Sequence, residues 1–191
     1  MEYLAKYGAA IELTNVEKPV VEPPVTWTPP RNGWFKINVD GAIFSKQKNV
    51  GIGVLIRDEW GRVEAAMSKK IKAPLGSMEV EAKALEVGLM LARDVGLQEV
   101  ALEGDSLSLI SALYGTAPPP ASVEPIVMGV WDLCREFRRI AFSHVRRQGN
   151  KPAHLLAKHA SCVADYICWI EEEPCCIEQA LIHDVMSFSS I

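Results

Sequence analysis

Three strands are predicted at the start of the folded region from the pattern of apolar and polar positions. The segments are GWFKINVD (33–40), NVGIGVLIRD (49–58) and VEAAMSKKI (63–71), which are rich in apolar and β-branched residues. Such residues favour strands, and the short connections between the segments, including the turn EWGR, favour pairing with the next neighbour. We therefore expect three consecutive antiparallel strands.

Helical spacing of apolar residues begins at Ser77. The segment SMEVEAKALEVGLMLARDV (77–95) is predicted to form a helix with Ser77 as its N-cap and Gly96 just beyond its end. The later predicted elements are a strand at 99–104, helices at 105–115 and 123–137, a strand at 139–147 and a final helix at 152–166. Strand–helix–strand connections bring later strands in parallel, so the order βββαβααβα predicts a mixed α/β sheet flanked by helices.

The chain is expected to divide into three parts. Residues 1–31 end in EKPVVEPPVTWTPPR, whose prolines remove backbone donors and favour extended structure, and we interpret them as a proline-rich leader or linker. Residues 32–165 are long enough for one domain with its own core. Residues 166–191 are interpreted as a tail that packs on or extends this domain.

Composition is that of a globular protein and does not by itself indicate a nucleic-acid partner. The chain has 191 residues, 49% of them hydrophobic and 23% charged, with a net charge of -4. Basic residues nevertheless dominate from Arg135 to Lys158, where Glu136 is the only acid. This stretch predicts either a surface that meets phosphate groups or an ordinary solvated face.

Cysteine usage indicates a reducing compartment. The five cysteines form neither a disulfide framework nor a zinc-ligand spacing, and no apolar run is long enough for a signal peptide or a transmembrane helix. We therefore expect an intracellular protein of the nucleus or cytoplasm that does not insert into membranes. The sequence indicates no particular protein partner.

Three acidic residues are candidates for chemistry, and each has a structural alternative. Asp40 ends the first predicted strand, but Asp40-Gly41 is also a common hairpin turn. Glu81 shares the sheet-facing stripe of the first helix, where a buried carboxylate needs a partner or a metal, unless it lies at the edge in water. Asp105 follows the strand at 99–104, where it could instead cap a helix.

Together the three acids suggest a metal site. Clustered carboxylates repel one another unless cations neutralise them, and Mg²⁺ prefers oxygen ligands of this kind. Paired metal ions held by such acids serve in-line displacement at phosphorus. The chemistry indicated is phosphodiester cleavage.

Four motifs in order carry a resemblance to the type 1 ribonuclease H superfamily. They are WFKINVDGA with GIGVLIRDEWGR, then EVEAKALEVGLMLA, then LEGDSLSLI, and finally HVRRQGNKPAHLLAKHA. The chain more closely resembles the plant ribonuclease H-like, reverse transcriptase-like domains related to those of non-LTR retrotransposons, over about residues 27–185. The resemblance implies a five-stranded mixed sheet, with three antiparallel strands and then parallel strands, flanked by helices.

The resemblance also implies an activity and its residues. Members of this superfamily cut the RNA strand of RNA–DNA hybrids with two Mg²⁺ ions, so RNA–DNA hybrid is the expected partner. Asp40, Glu81 and Asp105 match the metal-binding acids, and His144 matches a histidine that assists proton transfer or product release. The expected nucleic-acid-binding residues are Gly41, Arg146, Arg147, Asn150 and Lys151.

One position departs from the family pattern. The motif N-x-x-A-D-x-L-A places a fourth metal-binding aspartate where this chain has His154. An imidazole suits Mn²⁺-type or zinc ions better than Mg²⁺ and brings no negative charge when neutral. We therefore expect a weaker second ion, with activity reduced, shifted towards Mn²⁺ or lost. The hypotheses are a hybrid nuclease, a nucleic-acid-binding or regulatory module, and a domain that binds protein through its proline-rich leader or its tail. His159 is interpreted as a surface residue of the last helix.

Overall fold

Seven strands form one sheet in the computed structural model, which describes residues 16–17 and 26–188. The strands are β1 Val16–Glu17, β2 Phe35–Phe44, β3 Asn49–Arg57, β4 Val63–Ile71, β5 Glu99–Gly104, β6 Arg139–His144 and β7 Tyr166–Ile170. Their order across the sheet is β1-β6-β5-β2-β3-β4-β7. The strands β2, β3, β4 and β7 pair antiparallel, whereas β5, β6 and β1 continue from β2 in parallel.

Five helices cover the two faces of the sheet in the described part of the chain. They are α1 Ser77–Asp94, α2 Leu107–Leu113, α3 Glu124–Cys134, α4 Lys151–His159 and α5 Glu178–Phe188. The N-cap of α1 is Gly76, one residue before the predicted one, and its amide donates to the Glu79 carboxylate at 2.6 Å. None of these helices is both long and apolar enough to cross a membrane.

Alternation along the strands produces a separate core on each face. Ile37 and Val39 of β2 belong to the larger core, which they share with α1 and α3. The smaller core joins Leu55 of β3 to Leu156 of α4 and Leu181 of α5. Because side chains alternate, Asp40 lies on the face that α4 covers.

The mixed α/β class and its antiparallel-then-parallel order are confirmed, with two more strands than the five expected. β1 adds to β6, and β7 adds to β4. Residues 1–15 and 18–25 of the expected leader lie outside the described residues, but Trp27 is fully buried. The division at residues 31 and 165 stays a prediction.

Several predicted boundaries were wrong, and two of them change the interpretation. Asp40 does not end its strand, because β2 continues to Phe44 and pairs with β3 throughout, so Asp40 lies opposite Gly53 and not in a hairpin turn. The last predicted helix ends at His159 and not at residue 166, because one turn of 3-10 helix follows and Val163 is already extended. β7 then begins at Tyr166, the last residue of the predicted helix.

Candidate active site

Asp40, Glu81 and Asp105 converge from three different elements. Asp40 lies within β2, and Asp105 directly follows β5, which pairs with β2 in parallel. Glu81 lies in the first turns of α1, which packs against β2. One carboxylate oxygen of each residue lies within 4.8 Å of the other two. The topology therefore gathers three acids that are far apart in the sequence.

Gly41 allows α1 to approach the strand this closely. A Cβ atom at this position would lie 2.8 Å from Cγ1 of Val80 and 3.3 Å from Oε1 of Glu81. The Gly41 amide also donates to Oδ1 of Asp40 at 2.8 Å. Gly41, expected as a nucleic-acid contact, thus serves in the structure to position both neighbouring carboxylates.

The three carboxylates do not all ionise easily together. Burial raises the pKa of Glu81 to about 9, and the negative charges of Asp40 and Asp105 and a hydrogen bond with Asp40 add to the effect. Burial and the charge of Asp40 also raise the pKa of Asp105, against the opposing charges of Arg147 and His144. Without a cation the cluster therefore keeps a proton on Glu81 at neutral pH. A bound divalent ion would neutralise the same charge.

His154 contacts Asp40 directly. Its Nδ1 lies 2.6 Å from Oδ2 of Asp40, and because a carboxylate only accepts, the ring nitrogen donates. Asp40 is 1% exposed, and its two oxygens are engaged by the Gly41 amide and by His154. In the described residues the group of side chains suited to hold a metal is Asp40, Glu81 and Asp105, without His154.

Two glycines of β3 bring His154 to this position. A Cβ at Gly53 would lie 2.1 Å from the carbonyl oxygen of Ala153, and one at Gly51 would lie 2.2 Å from that of Ala157. The backbone of α4 therefore rests directly on β3. Since Gly53 is the partner of Asp40 across the two strands, the first turn of α4 lies over the carboxylate. The sequence GIG was the available signal for this approach.

Among the other expected site residues, His144 and three cations are at least partly exposed, whereas Asn150 is buried. His144 is half-buried, and its Nε2 lies 3.1 Å from the carbonyl oxygen of Asp105. Arg146 and Arg147 are exposed on the connection that leads into α4, and Lys151 is exposed at the first position of α4. Asn150, in contrast, is buried, and its amide donates to the carbonyl oxygen of Val39 at 2.8 Å. It thus ties the start of α4 to β2.

His159 is not the surface residue that its helical position suggested. It is half-buried, with Nδ1 3.1 Å from Oγ of Ser68 and its ring centroid 5.8 Å from that of Trp169. The cause is β7, which places Trp169 beside the end of α4. His159 therefore belongs to the packing of the edge strand and lies apart from the acidic cluster.

A buried polar network lies beside the cluster on the same face of the sheet. Glu103 of β5 is fully buried and accepts from Lys36 at 3.1 Å, from Asn38 at 2.8 Å and from Ser143 at 2.9 Å. Lys36 and Asn38 share their face with Asp40 by alternation. Polar residues at alternate positions of an apolar strand were the signal for this network, which orders β2 and β5 just before they present Asp40 and Asp105.

Arg57 connects this network to the C-terminal helix. It is fully buried, donates to Asp184 of α5 at 2.9 Å and to Asn38 at 3.3 Å, and lies 3.9 Å from the ring centroid of Trp27. Burial lowers the pKa of Arg57 and raises that of Asp184, despite their mutual attraction. Either charge buried alone would destabilise the fold strongly, so each residue of the pair requires the other.

A family comparison covers the whole cluster. The family model described as reverse transcriptase-like matches residues 38–160, nearly two thirds of the chain. This range contains Asp40, Glu81, Asp105 and His154. A search among curated proteins found no match.

Several solved structures of ribonucleases H have the same fold. RNase H1 from the halophilic archaeon Halobacterium salinarum is 23% identical with a TM-score of 0.63, over 68% of this chain and 98% of its own. The N-terminal RNase H domain of a Mycobacterium tuberculosis protein, fused to maltose-binding protein, is 25% identical with a TM-score of 0.60, over 66% and 92%. An RNase H1 isolated from compost, in complex with an RNA/DNA hybrid, is 22% identical with a TM-score of 0.52, over 65% and 94%.

The resemblance to plant and retrotransposon-related members stays a prediction. The family itself is established by the match, and the fold agrees with that of the solved structures. The chain belongs to the reverse transcriptase-like family and has the ribonuclease H fold.

Proposed function

We propose that this chain is a metal-dependent nuclease that hydrolyses the RNA strand of RNA–DNA hybrids. The observation that carries the proposal is the convergence of Asp40, Glu81 and Asp105 within 4.8 Å, on a fold that the chain shares with ribonucleases H. A similar protein with this fold has been solved in complex with an RNA/DNA hybrid. The exposed cations Arg146, Arg147 and Lys151 support the same class of ligand.

The donor set fits Mg²⁺. Asp40, Glu81 and Asp105 offer carboxylate oxygens, the ligands that this hard cation prefers. Burial, together with the negative charges of Asp40 and Asp105, raises the pKa of Glu81, and a cation would offset both effects. Bound ions would supply an activated water and neutralise the charge that develops on the phosphate. Because His154 stands in place of a fourth carboxylate, we propose that one of two ions is weakly held and that Mn²⁺ supports activity better.

The surrounding residues have separate tasks in this proposal. His144, next to Asp105, transfers a proton at the leaving oxygen or assists product release. Arg146, Arg147 and Lys151 are exposed and contact phosphates, which makes binding weaken with salt. Selection of the RNA strand comes from its 2'-hydroxyl groups in the minor groove.

A second candidate function is a nucleic-acid-binding or regulatory module without turnover. It is favoured by the 2.6 Å contact between His154 and Asp40, because the imidazole competes with a metal ion for the same oxygen. In this function Arg146, Arg147 and Lys151 still bind the phosphate backbone. Both candidates place the protein inside the cell, in the nucleus or cytoplasm, and its five free cysteines support a reducing compartment.

Cleavage of a labelled RNA–DNA hybrid in Mg²⁺ and in Mn²⁺ tests the nuclease. We expect slow cleavage that is faster with Mn²⁺, no cleavage by Asp40→Asn, and faster Mg²⁺-dependent cleavage by His154→Asp, which restores a carboxylate. Lys158→Asp is the matched control, since it adds a carboxylate at an exposed position of α4 and should leave the rate unchanged.

Different results separate the two functions. A wild-type chain that is inactive with both metals excludes the nuclease, and binding of the hybrid measured in EDTA over a series of salt concentrations then tests the module. Equal and negligible affinity for hybrid, duplex DNA and single strands would exclude the module as well. Cleavage by Asp40→Asn at the wild-type rate would show that the acidic cluster is not the active site.

A further inference from the structure

A groove of about 730 Å³ lies on the face of the sheet that α1 covers, well away from the acidic cluster. We call it the edge groove. It runs between the second half of α1 and the strands β4 and β7, and its apolar lining includes Met67, Met90, Leu91, Val95, Tyr166 and Ile170. Its lining comes from α1, Val95, β4, β7 and Glu171, so among the described residues α1 forms one wall and no second helix lines the groove.

Large apolar side chains are exposed along the edge groove. Met90 is 39% exposed, Tyr166 56% and Ile170 52%. Exposed apolar side chains that occur together on one concave surface mark a site of interaction more often than isolated ones do. Methionine adapts its shape to a partner, and tyrosine combines a large apolar ring with a polar end, as in many interfaces.

Acidic residues surround one end of the edge groove. Glu64, Asp94 and Glu171 line it, and Glu171 lies directly beside Glu64, whereas Lys69 lies towards the other end, opposite Tyr166. Arg93 neutralises Asp94 through a contact of 2.8 Å, so the negative charge comes from Glu64 and Glu171 in the lining and from the exposed Glu172 and Glu173 that follow it. A complementary partner therefore carries basic residues beside an apolar surface.

We propose that the edge groove binds a basic amphipathic helix of a partner protein. Its apolar residues, at helical spacing, would cover Met90 and Ile170, and its lysines or arginines would lie near Glu171. The wall formed by residues 87–95, at the end of α1 and its C-cap, is about 12 Å long, and the five residues of β7 span about 17 Å. The occupant is therefore two to three helical turns long.

The geometry favours a helix over an added strand. Sheets with helical layers are covered on their faces by helices, and a helix placed beside α1 covers both Met67 and Leu91. A strand paired to the outer edge of β7 would leave the floor of the groove exposed. β7 and Glu171 lie beyond the family match of residues 38–160, so part of this surface is built from residues outside the matched region.

The edge groove can be occupied while the acidic cluster is accessible. Glu81 lies near the beginning of α1 and Met90 in its second half, a separation of about 13 Å along the helix axis. The partner helix would thus attach this domain to another protein without covering the cluster. The inference depends on the groove alone and does not require the chain to be a nuclease.

Binding of a labelled synthetic helix to the full chain tests the inference. The probe is a peptide of about 11 residues, or three helical turns, with leucines on one face and lysines elsewhere, and its matched control has glutamates in place of the lysines. We expect the basic peptide to bind and the acidic one not to bind, with NMR shift changes at Met90, Tyr166 and Ile170. Binding should persist when the RNA–DNA hybrid is present.

Exposed positions provide variants that should still fold, which circular dichroism would check. Ile170→Arg is expected to weaken the basic peptide by about tenfold or more, and Glu171→Lys should reduce the preference for the basic over the acidic peptide. Ile182→Arg is the matched control, because Ile182 is 47% exposed on α5, outside the lining of the edge groove, and it should not alter affinity.

Several outcomes would overturn the inference. Equal binding of the two peptides, or binding of neither, would show that the surface does not recognise a basic helix. Shift changes confined to Asp40, Glu81 and Asp105 would show that the lysines merely bind the acidic cluster. Shift changes along the outer backbone of β7, unaffected by Ile170→Arg, would indicate strand addition instead.

Discussion

Replacing Glu81 with glutamine should stabilise the metal-free protein while removing a proposed metal ligand. Burial and the charges of Asp40 and Asp105 raise the pKa of Glu81 to about 9 from its ordinary value of 4.5. A carboxyl group with a raised pKa in the folded state favours folding fully below pH 4.5. That contribution is lost as the pH rises towards 9, because the unfolded chain releases the proton first.

The magnitude follows from this difference. At pH 7 the folded state retains a proton that the unfolded state has released, which costs about 3 kcal/mol at 1.36 kcal/mol for each pH unit above 4.5. Solvent reaches the partly exposed Glu81 side chain and reduces this cost, so we expect Glu81→Gln to raise the free energy of unfolding by about 1 to 3 kcal/mol at pH 7. The gain should be smaller at pH 5.

Urea unfolding in EDTA at pH 5, 7 and 8.5 measures the effect. The wild type should lose stability as the pH rises, whereas Glu81→Gln should lose less. Glu86→Gln on the same helix is the control, because Glu86 pairs with Lys83 at 2.6 Å and lies outside the cluster. Stability profiles of wild type and Glu81→Gln that run parallel between pH 5 and 8.5 would refute the reasoning.

Divalent metal should make the wild type more stable than Glu81→Gln, the reverse of their order in EDTA. A ligand that binds only the folded state stabilises it by about 2.7 kcal/mol at one hundred times its dissociation constant. The wild type should gain this from Mg²⁺ or Mn²⁺, and Glu81→Gln should gain less because it lacks one ligand. A shift of equal size in both proteins would show that Glu81 does not hold the ion.

Two further predictions concern stability and are measured by thermal and urea unfolding. Asp184→Ala should lower the free energy of unfolding by about 3 to 5 kcal/mol, because it leaves the buried Arg57 without its carboxylate partner. The control Asp132→Ala breaks only an exposed ion pair and should cost little. Equal losses in the two variants would contradict the importance of burial. Gly53→Ala should cost about 3 kcal/mol because its Cβ would lie 2.1 Å from the Ala153 carbonyl oxygen, and NMR should show His154 displaced from Asp40. Gly129→Ala is the control, because Gly129 lies within α3 and a Cβ there would meet only the flexible end of a glutamate. It should raise the free energy of unfolding by up to about 1 kcal/mol. A loss of stability as large as that of Gly53→Ala would show that close backbone contact is not the cause.

The strands and helices that local pattern determines could be predicted from the sequence. β4, β5 and the start of α1 lie where the apolar spacing placed them. β1 and β7 could not be predicted, because they depend on pairings between distant segments, such as Val16 with Ile140 and Met67 with Cys168. A two-residue strand has too little pattern of its own to be recognised.

The three acids of the candidate site could be predicted from the sequence, whereas the contacts of His154 and Arg57 could not. Asp40, Glu81 and Asp105 stood at the ends of predicted strands or on a buried helix stripe, so their convergence followed from the topology. The contact of His154 with Asp40 depends on how closely α4 approaches Gly51 and Gly53, a distance that hydrophobic spacing does not give. The pairing of Arg57 with Asp184 joins β3 to a tail for which the sequence predicted no helix.

The two edge strands have a consequence for how this protein is handled. β1 pairs with two residues of β6 and β7 with five residues of β4, and both strands lie outside the matched residues 38–160. A fragment trimmed to the match would leave those longer edges bare, and bare edges are templates for pairing between molecules. It would also lack α5 and leave Arg57 without Asp184. We expect such a fragment to aggregate on expression, and the stretch from residue 16 to residue 188 to be the shorter unit that remains monodisperse.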